Sequence, residues 1–160
     1  MTEAIRVIIV DDESLVRAAL RVFLESSDGF ELVGEADNGA DAITLVRATQ
    51  PDVVLMDVQM PIMDGIEATQ RLTREFPGLK IVALTTFSTE RVIVPMLSAG
   101  ASGFLVKDTS PDRILDAARR GLDLDSIGMP QPLRRAVESA CSRSGLILVC
   151  GPTGSGKTTS

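Results

Sequence analysis

Two apolar runs that end abruptly on carboxylates limit what this chain can become. Val53, Val54, Leu55 and Met56 lead without a polar break into Asp57, and Val7, Ile8, Ile9 and Val10 lead into Asp11 and Asp12. A short run without alternation, bounded here by Pro51-Asp52 and Met60-Pro61, reads as a strand buried on both faces, as in parallel sheets. A carboxylate directly after such a strand sits at its C-terminal end, where open α/β sheets place their ligands. One Asp in that place is ordinarily a turn or cap residue. Two such strands side by side would gather three carboxylates at one sheet edge. Like charges that close destabilise one another unless a cation lies among them.

The rest of the chain alternates strand and helix signals. After residues 7–10 comes a helical pattern with Leu15, Ala18, Ala19, Val22 and Phe23 on one face, closed by Ser26-Ser27-Asp28-Gly29. Residues 30–36 alternate, with Phe30, Leu32 and Gly34 against Glu31, Val33 and Glu35, as suits an exposed, edge-like strand. A helix over 40–49 turns Ala42, Ile43 and Val46 inward and stops at Pro51; another runs over 65–76 and ends at Pro77-Gly78. Residues 79–84 form a fourth strand that reaches Thr85-Thr86, followed by a helix over 90–99. Residues 104–106 form a fifth strand ending on Lys107. The helix over 111–121 has Ser110 as N-cap and Pro111 at its first position. Five strand–helix units predict a parallel sheet covered on both faces, with right-handed crossovers. In the flavodoxin-like, doubly wound order 2-1-3-4-5, the first and third strands are neighbours at the switch point, so Asp11, Asp12 and Asp57 meet there.

Composition narrows the chemistry. A formal net charge of −6 without a basic block makes a poor nucleic-acid binder. The start, Met1-Thr2-Glu3-Ala4-Ile5-Arg6, lacks the apolar stretch of a signal peptide, and no run is long enough to span a membrane; both point to a cytoplasmic protein. The two cysteines, Cys141 and Cys150, are too few for a disulfide framework. No histidine is present, which argues against zinc and against a Ser–His pair for acyl transfer. The sheet edge instead offers Asp11, Asp12, Asp57, Thr85 and Lys107, each after an apolar strand, with the backbone carbonyl of Gln59 in reach. Carboxylates and a carbonyl suit magnesium, and an ammonium and a hydroxyl can hold phosphoryl oxygens. Phosphoryl transfer is mostly positioning and charge stabilisation, so an Asp nucleophile could accept a phosphoryl group here.

Four motifs, in order, carry a resemblance. They are Val10-Asp11-Asp12-Glu13, the stretch from Leu55 to Gly65 reading LMDVQMPIMDG, Leu84-Thr85-Thr86-Phe87, and the stretch from Gly100 to Asp108 reading GASGFLVKD. Residues 1–121 resemble the receiver domain of two-component response regulators, with wording closest to the NarL-type regulators. The resemblance implies Asp57 as phospho-acceptor, Asp11, Asp12 and the Gln59 carbonyl around Mg2+, and Lys107 as the phosphate-binding lysine. It also implies Thr85 and Phe104 as switch residues and a sensor histidine kinase as donor. The sequence does not fix the oligomeric state, and a homodimer is among the assemblies to consider. Phe104 read without the resemblance is as readily simple core; Asp64-Gly65 reads as turn and helix start. Asp41, Glu67, Arg71 and Arg74 read as solvated helix faces. Asp108 replaces the proline many receivers carry after this lysine. Pro95 departs from a regular helix, and implies either a kinked, short or mobile helix or one that starts late, with Pro95 in its first turn.

Residues 122–160 do not continue into the helix-turn-helix domain usual for NarL-type regulators. A helix over 131–142 and a strand over 146–150 lead to Gly151-Pro152-Thr153-Gly154-Ser155-Gly156-Lys157-Thr158, a full Walker A motif after an apolar strand. This stretch resembles the type II secretion and type IV pilus ATPases. By that resemblance Gly151, Gly154 and Gly156 would admit phosphates, Lys157 would meet the β/γ-phosphates of ATP, and Thr158 the magnesium. The chain stops at Ser160, without the helix that follows such a loop, a Walker B acid or a residue to position water. The expectation is therefore a fragment, from a truncated fusion or a designed chimera, with no ATPase activity. Its strand either docks as a sixth parallel strand beside 104–106, which its apolar character favours, or stays a loose appendage. A nucleotide-binding protein centred on Lys157, or a scaffold without output, are the competing functions.

Overall fold

The computed structural model describes residues 3–86, 90–107, 115 and 148–150. Among them the elements run β1 (Ile5–Val10), α1 (Ser14–Glu25), β2 (Phe30–Ala36), α2 (Gly39–Thr49), β3 (Val53–Asp57), α3 (Gly65–Glu75), β4 (Lys80–Thr85), α4 (Glu90–Ser98), β5 (Gly103–Val106) and β6 (Leu148–Cys150). The strands form one parallel sheet in the order β2-β1-β3-β4-β5-β6. Its first five strands have the expected receiver-like order, which places β1 beside β3.

Alternate residues of the apolar strands feed two cores. Ile8, Val10, Val54, Met56, Ile81, Ala83 and Phe104 pack on one face with α2, α3 and α4, through Ile43, Val46, Leu72, Ile93, Met96 and Leu97. Val7, Ile9, Val53, Leu55, Val82, Leu84 and Leu105 pack on the other face with Leu20 and Leu24 of α1 and with Leu115. The unbroken apolar runs follow from this, since both faces of each central strand are buried.

Two local expectations are corrected, and of the two alternatives for the helix around Pro95 the short helix is the one observed. The face of α1 that turns inward carries Leu20 and Leu24, with Val16 half-buried against them, while Leu15 is 81% and Val22 63% exposed. Phe23 is exposed too, Ala19 is exposed and Ala18 only half-buried, so the predicted stripe is rotated by about one residue. In β2 the register against β1 slips between Val7 and Ile8, so Leu32 and then Gly34 face them and Val33 is the extra residue. Val33 packs with the α2–α4 core, which breaks the simple alternation. In α4, Pro95 lies inside a nine-residue helix that begins at Glu90, so the helix does not start late. Pro95 cannot donate to the carbonyl of Arg91, and the helix closes soon after, with Ala99 N–H donating to the Pro95 carbonyl.

Of the helix expected over 111–121, only Leu115 is described, helical and buried. The helix over 131–142 and the Walker A residues Gly151, Gly154, Gly156, Lys157 and Thr158 lie outside the described residues. The last strand is three residues long, with Leu148, Val149 and Cys150 opposite Gly103, Phe104 and Leu105.

Candidate functional site

The site forms because β1 and β3 lie side by side in register, Val10 opposite Met56, so both chains leave the sheet at one edge. Asp11 N–H donates to the Ala36 carbonyl and Val58 N–H to the Leu84 carbonyl, which tie each exit to its neighbouring strand. Beyond β3 the chain folds back on itself. Gly65 N–H donates to the Val58 carbonyl, and a Cβ on Gly65 would lie 2.0 Å from the Asp57 carbonyl oxygen. Only glycine fits there, so the Asp64-Gly65 pair does more than start α3. Asp64 itself caps that helix, accepting from Glu67 N–H at 2.8 Å. Ile62, in the same loop, has φ 71, a conformation rarely taken by a β-branched residue, and is almost fully exposed.

The edge gathers Asp11, Asp12 and Asp57, whose carboxylate oxygens lie within 4.8 Å of one another. Asp11 and Asp57 are buried and Asp12 is exposed. Lys107 reaches them from the end of β5, where its N–H donates to the Thr85 carbonyl at 2.8 Å. Its ammonium lies 2.9 Å from Asp11 Oδ2 and 3.4 Å from Asp57 Oδ2. Asp11 Oδ2 is buried and, apart from its ion pair with Lys107, has no hydrogen-bond partner among the described residues.

Burial pushes the Asp57 carboxyl up to about 7, and the charge of Asp11 pushes the same way; the Lys107 ammonium offsets part of this, and a hydrogen bond with Asp12 adds to it. Burial works against the Lys107 charge, but Asp11, Glu13 and Asp57 outweigh it and hold the ammonium above its ordinary range. A hard divalent cation fits such a cluster. The under-coordinated Asp11 oxygen and two further carboxylates supply oxygen ligands, and a cation would relieve the repulsion that raises Asp57.

Gln59 lies in the exposed loop two residues beyond Asp57. Thr85 ends β4, buried, with Val106 as its partner in register on β5. Phe104 is 1% exposed and belongs to the α2–α4 core. The described structure therefore brings Asp11, Asp12, Asp57 and Lys107 together, puts Thr85 at the same edge, and keeps Phe104 inside the core.

Two residues at the site were not singled out from the sequence. Glu13 Oε1 accepts from the Lys107 ammonium at 3.0 Å, and the Arg17 guanidinium donates to the Asp11 carbonyl at 2.6 Å. The Lys107 contact spans 94 positions. The local hint was an acid at the N-cap of α1, a position that favours Ser, Thr, Asp or Asn.

Residues 7–119 match the family of the response regulator receiver domain, and residues 111–160 match the type II/IV secretion system protein family. Among curated relatives, the uncharacterised transcriptional regulatory protein YxjL of Bacillus subtilis is 45% identical over 117 residues, 73% of this chain and 54% of that protein. The response regulator GacA of Pseudomonas viridiflava is 41% identical over 115 residues, covering 72% and 54%. The chain thus spans about half the length of the curated relatives it matches. Of solved structures, the signal receiver domain of NarL from Mycobacterium tuberculosis superposes with TM-score 0.67 at 33% identity, over 74% of this chain and 98% of that one. The receiver domain of RcsB from Salmonella enterica serovar Typhimurium gives TM-score 0.69 at 26% identity, over 84% and 99%. With a family match over well over half its length, and an aspartate-lined sheet edge built as described, the chain belongs to the response regulator receiver domain family.

Proposed function

We propose that this receiver is a switch driven by phosphorylation of Asp57, with magnesium held by Asp11, Asp12, Asp57 and the Gln59 backbone carbonyl. The supporting observation is the convergence of three carboxylates from two neighbouring strands, beside a nearly buried lysine ammonium. Response regulators of two-component systems take their phosphoryl group from sensor histidine kinases, and receivers are generally switches rather than enzymes. A carboxylate oxygen of Asp57 attacks phosphorus, and the bond from phosphorus to the donor imidazole nitrogen breaks. That nitrogen leaves with the electron pair and takes up a proton. Bound magnesium would neutralise charge on the phosphoryl oxygens.

Lys107 and the Thr85 hydroxyl hold the remaining oxygens. The new group adds about −1.5 to −2 charges at neutral pH. Drawing Thr85 and Lys107 toward it pulls on the ends of β4 and β5, and Phe104 and α4 repack in response. An acidic surface, net −6, assigns no nucleic-acid contact to these residues in our reading; the relatives that are transcriptional regulators extend well beyond the matched segment. Among the described residues no helix is long and apolar enough to cross a membrane, and we read the setting as cytoplasmic.

A second reading applies to residues 122–160, which we take as a separate module joined to the receiver. β6 runs parallel to β5, so Cys150 ends its strand toward the same sheet edge as the aspartates, and the Walker A motif follows Cys150 directly in the sequence. That supports nucleotide binding by Gly151, Gly154, Gly156, Lys157 and Thr158, without assigning hydrolysis. ATP binding that vanishes in Lys157→Ala would support it, and no binding by the wild-type chain would remove it.

The test of the main reading is the intact mass of the chain after incubation with acetyl phosphate and magnesium, beside Asp57→Ala. One phosphoryl adduct, absent from the variant, is the expected result. A folded wild-type chain that takes up no adduct overturns the reading.

A further inference from the structure

Glu13 holds a place where its side chain would ordinarily serve its own helix, and it does not. It is the N-cap residue of α1, with φ −82 and ψ 108, and its side chain makes no capping hydrogen bond. Instead its carboxylate lies 3.0 Å from the Lys107 ammonium, across the mouth of the aspartate pocket. Its backbone is held in place, because Glu13 N–H donates to Asp11 Oδ1 at 2.9 Å and Arg17 N–H donates to the Glu13 carbonyl at 3.1 Å. The carboxylate is 60% exposed, whereas the Lys107 side chain is only 9% exposed. The lysine therefore leans outward onto Glu13 and sideways onto Asp11, and stands farthest from Asp57, at 3.4 Å.

We propose that Glu13 is a positioning residue that restrains Lys107 and competes for it with the phosphoryl group on Asp57. The proposal rests on the receiver reading above. An ammonium has three donors and a limited reach. To meet an oxygen bound through Asp57 it must turn deeper into the pocket, and the hydrogen bond to Glu13 then lengthens or breaks. Glu13 thus favours the unphosphorylated arrangement and lowers affinity for whatever occupies the phosphoryl position. A plain N-cap acid would instead act only through its charge, by favouring the positive end of α1 or repelling an anion. Side-chain length separates the two. Glu13→Asp keeps the charge at the mouth but withdraws the carboxylate by one methylene from the 3.0 Å contact.

The experiment measures the binding of beryllofluoride with saturating magnesium to the full chain, by NMR, for wild type, Glu13→Gln, Glu13→Asp and Asp57→Ala. It reads affinity at the phosphoryl position without a chemical step. Since the restraint is one partly exposed charged pair, Glu13→Gln and Glu13→Asp should both bind about two- to fivefold more tightly than wild type. Melting temperatures without magnesium, unchanged in both, would show that α1 is intact. Glu13→Asp binding like wild type while Glu13→Gln binds more tightly overturns the proposal in favour of bare charge. Unchanged or weaker binding in both variants overturns it as well. A wild-type chain that binds beryllofluoride no better than Asp57→Ala overturns the receiver reading, and the restraint with it.

Discussion

Replacing Asp57 by Asn should stabilise the metal-free protein, and the gain should depend on pH. The carboxyl is raised from its ordinary 3.8 to about 7, chiefly by burial and then by Asp11. An acid with a raised folded-state pKa holds its proton more tightly when folded. Its contribution is most favourable below the unfolded pKa and is lost as pH rises toward the folded one. At about 1.4 kcal/mol per unit, the full penalty above neutrality is on the order of 4 kcal/mol. Near pH 5 roughly 1–2 kcal/mol of it has accrued. Asn removes the charge but forfeits the Lys107 pair and leaves an amide to satisfy, an offset of about 1–2 kcal/mol.

The net expectation is a gain of about 2–3 kcal/mol near pH 8 and almost none near pH 5. For a chain of this size the gain at the higher pH corresponds to a rise in melting temperature of roughly 5–10 °C. The chain has no Trp or Tyr, so the assay is thermal unfolding followed by far-ultraviolet circular dichroism, in chelator, across that pH range. Saturating magnesium should shrink the difference, because wild type gains by binding what the variant binds less well. A difference between the two proteins that stays flat with pH would mean that Asp57 titrates normally. Burial and the neighbouring Asp11 charge would then not raise this carboxyl at all.

Two further outcomes bear on how the site is built. Gly65→Ala should destabilise by about 2–4 kcal/mol in urea unfolding and weaken magnesium binding, because its Cβ would displace the Asp57 carbonyl 2.0 Å away. Leu24→Ala should cost about 2–4 kcal/mol and Leu15→Ala under about 0.5, which equilibrium unfolding of the pair would check; equal costs would put the wrong face of α1 on the sheet.

The pocket was legible because its geometry hangs on features that announce themselves locally. An apolar run cannot sit at a sheet edge facing water, so the strands through Val10 and Met56 had to be central. Once central and parallel, their following residues, Asp11, Asp12 and Asp57, had to emerge together. The inward face of α1 was not legible for the opposite reason. Leu15, Ala19, Val22 and Phe23 form a stripe of the same helical period as Val16, Leu20 and Leu24, about one residue away around the helix. Periodicity cannot choose between neighbouring stripes; the choice comes from what lies across, here Val7, Ile9 and Leu55 on one face of the sheet and Leu115 beyond them. Val33 is similar, since a register slip in β2 depends on the partner strand rather than on the residues that slip.

Glu13 combines both situations and shows where sequence reasoning stops. Its neighbours Asp11 and Asp12 declare themselves by following a buried strand, but Glu13 begins a helix, where an acid is unremarkable. Its role depends on Lys107 arriving from the end of β5, and on that ammonium being almost buried while the carboxylate is mostly exposed. A fully buried pair would resist rearrangement, since separating it would strand a charge out of water. An exposed carboxylate can give up its lysine and be hydrated at little cost. The lysine always retains a carboxylate or a phosphoryl oxygen on its buried side. That asymmetry is what makes the contact suited to breaking when the pocket fills: the partner that must let go is the one already in water, and the partner that moves never leaves the negative cluster.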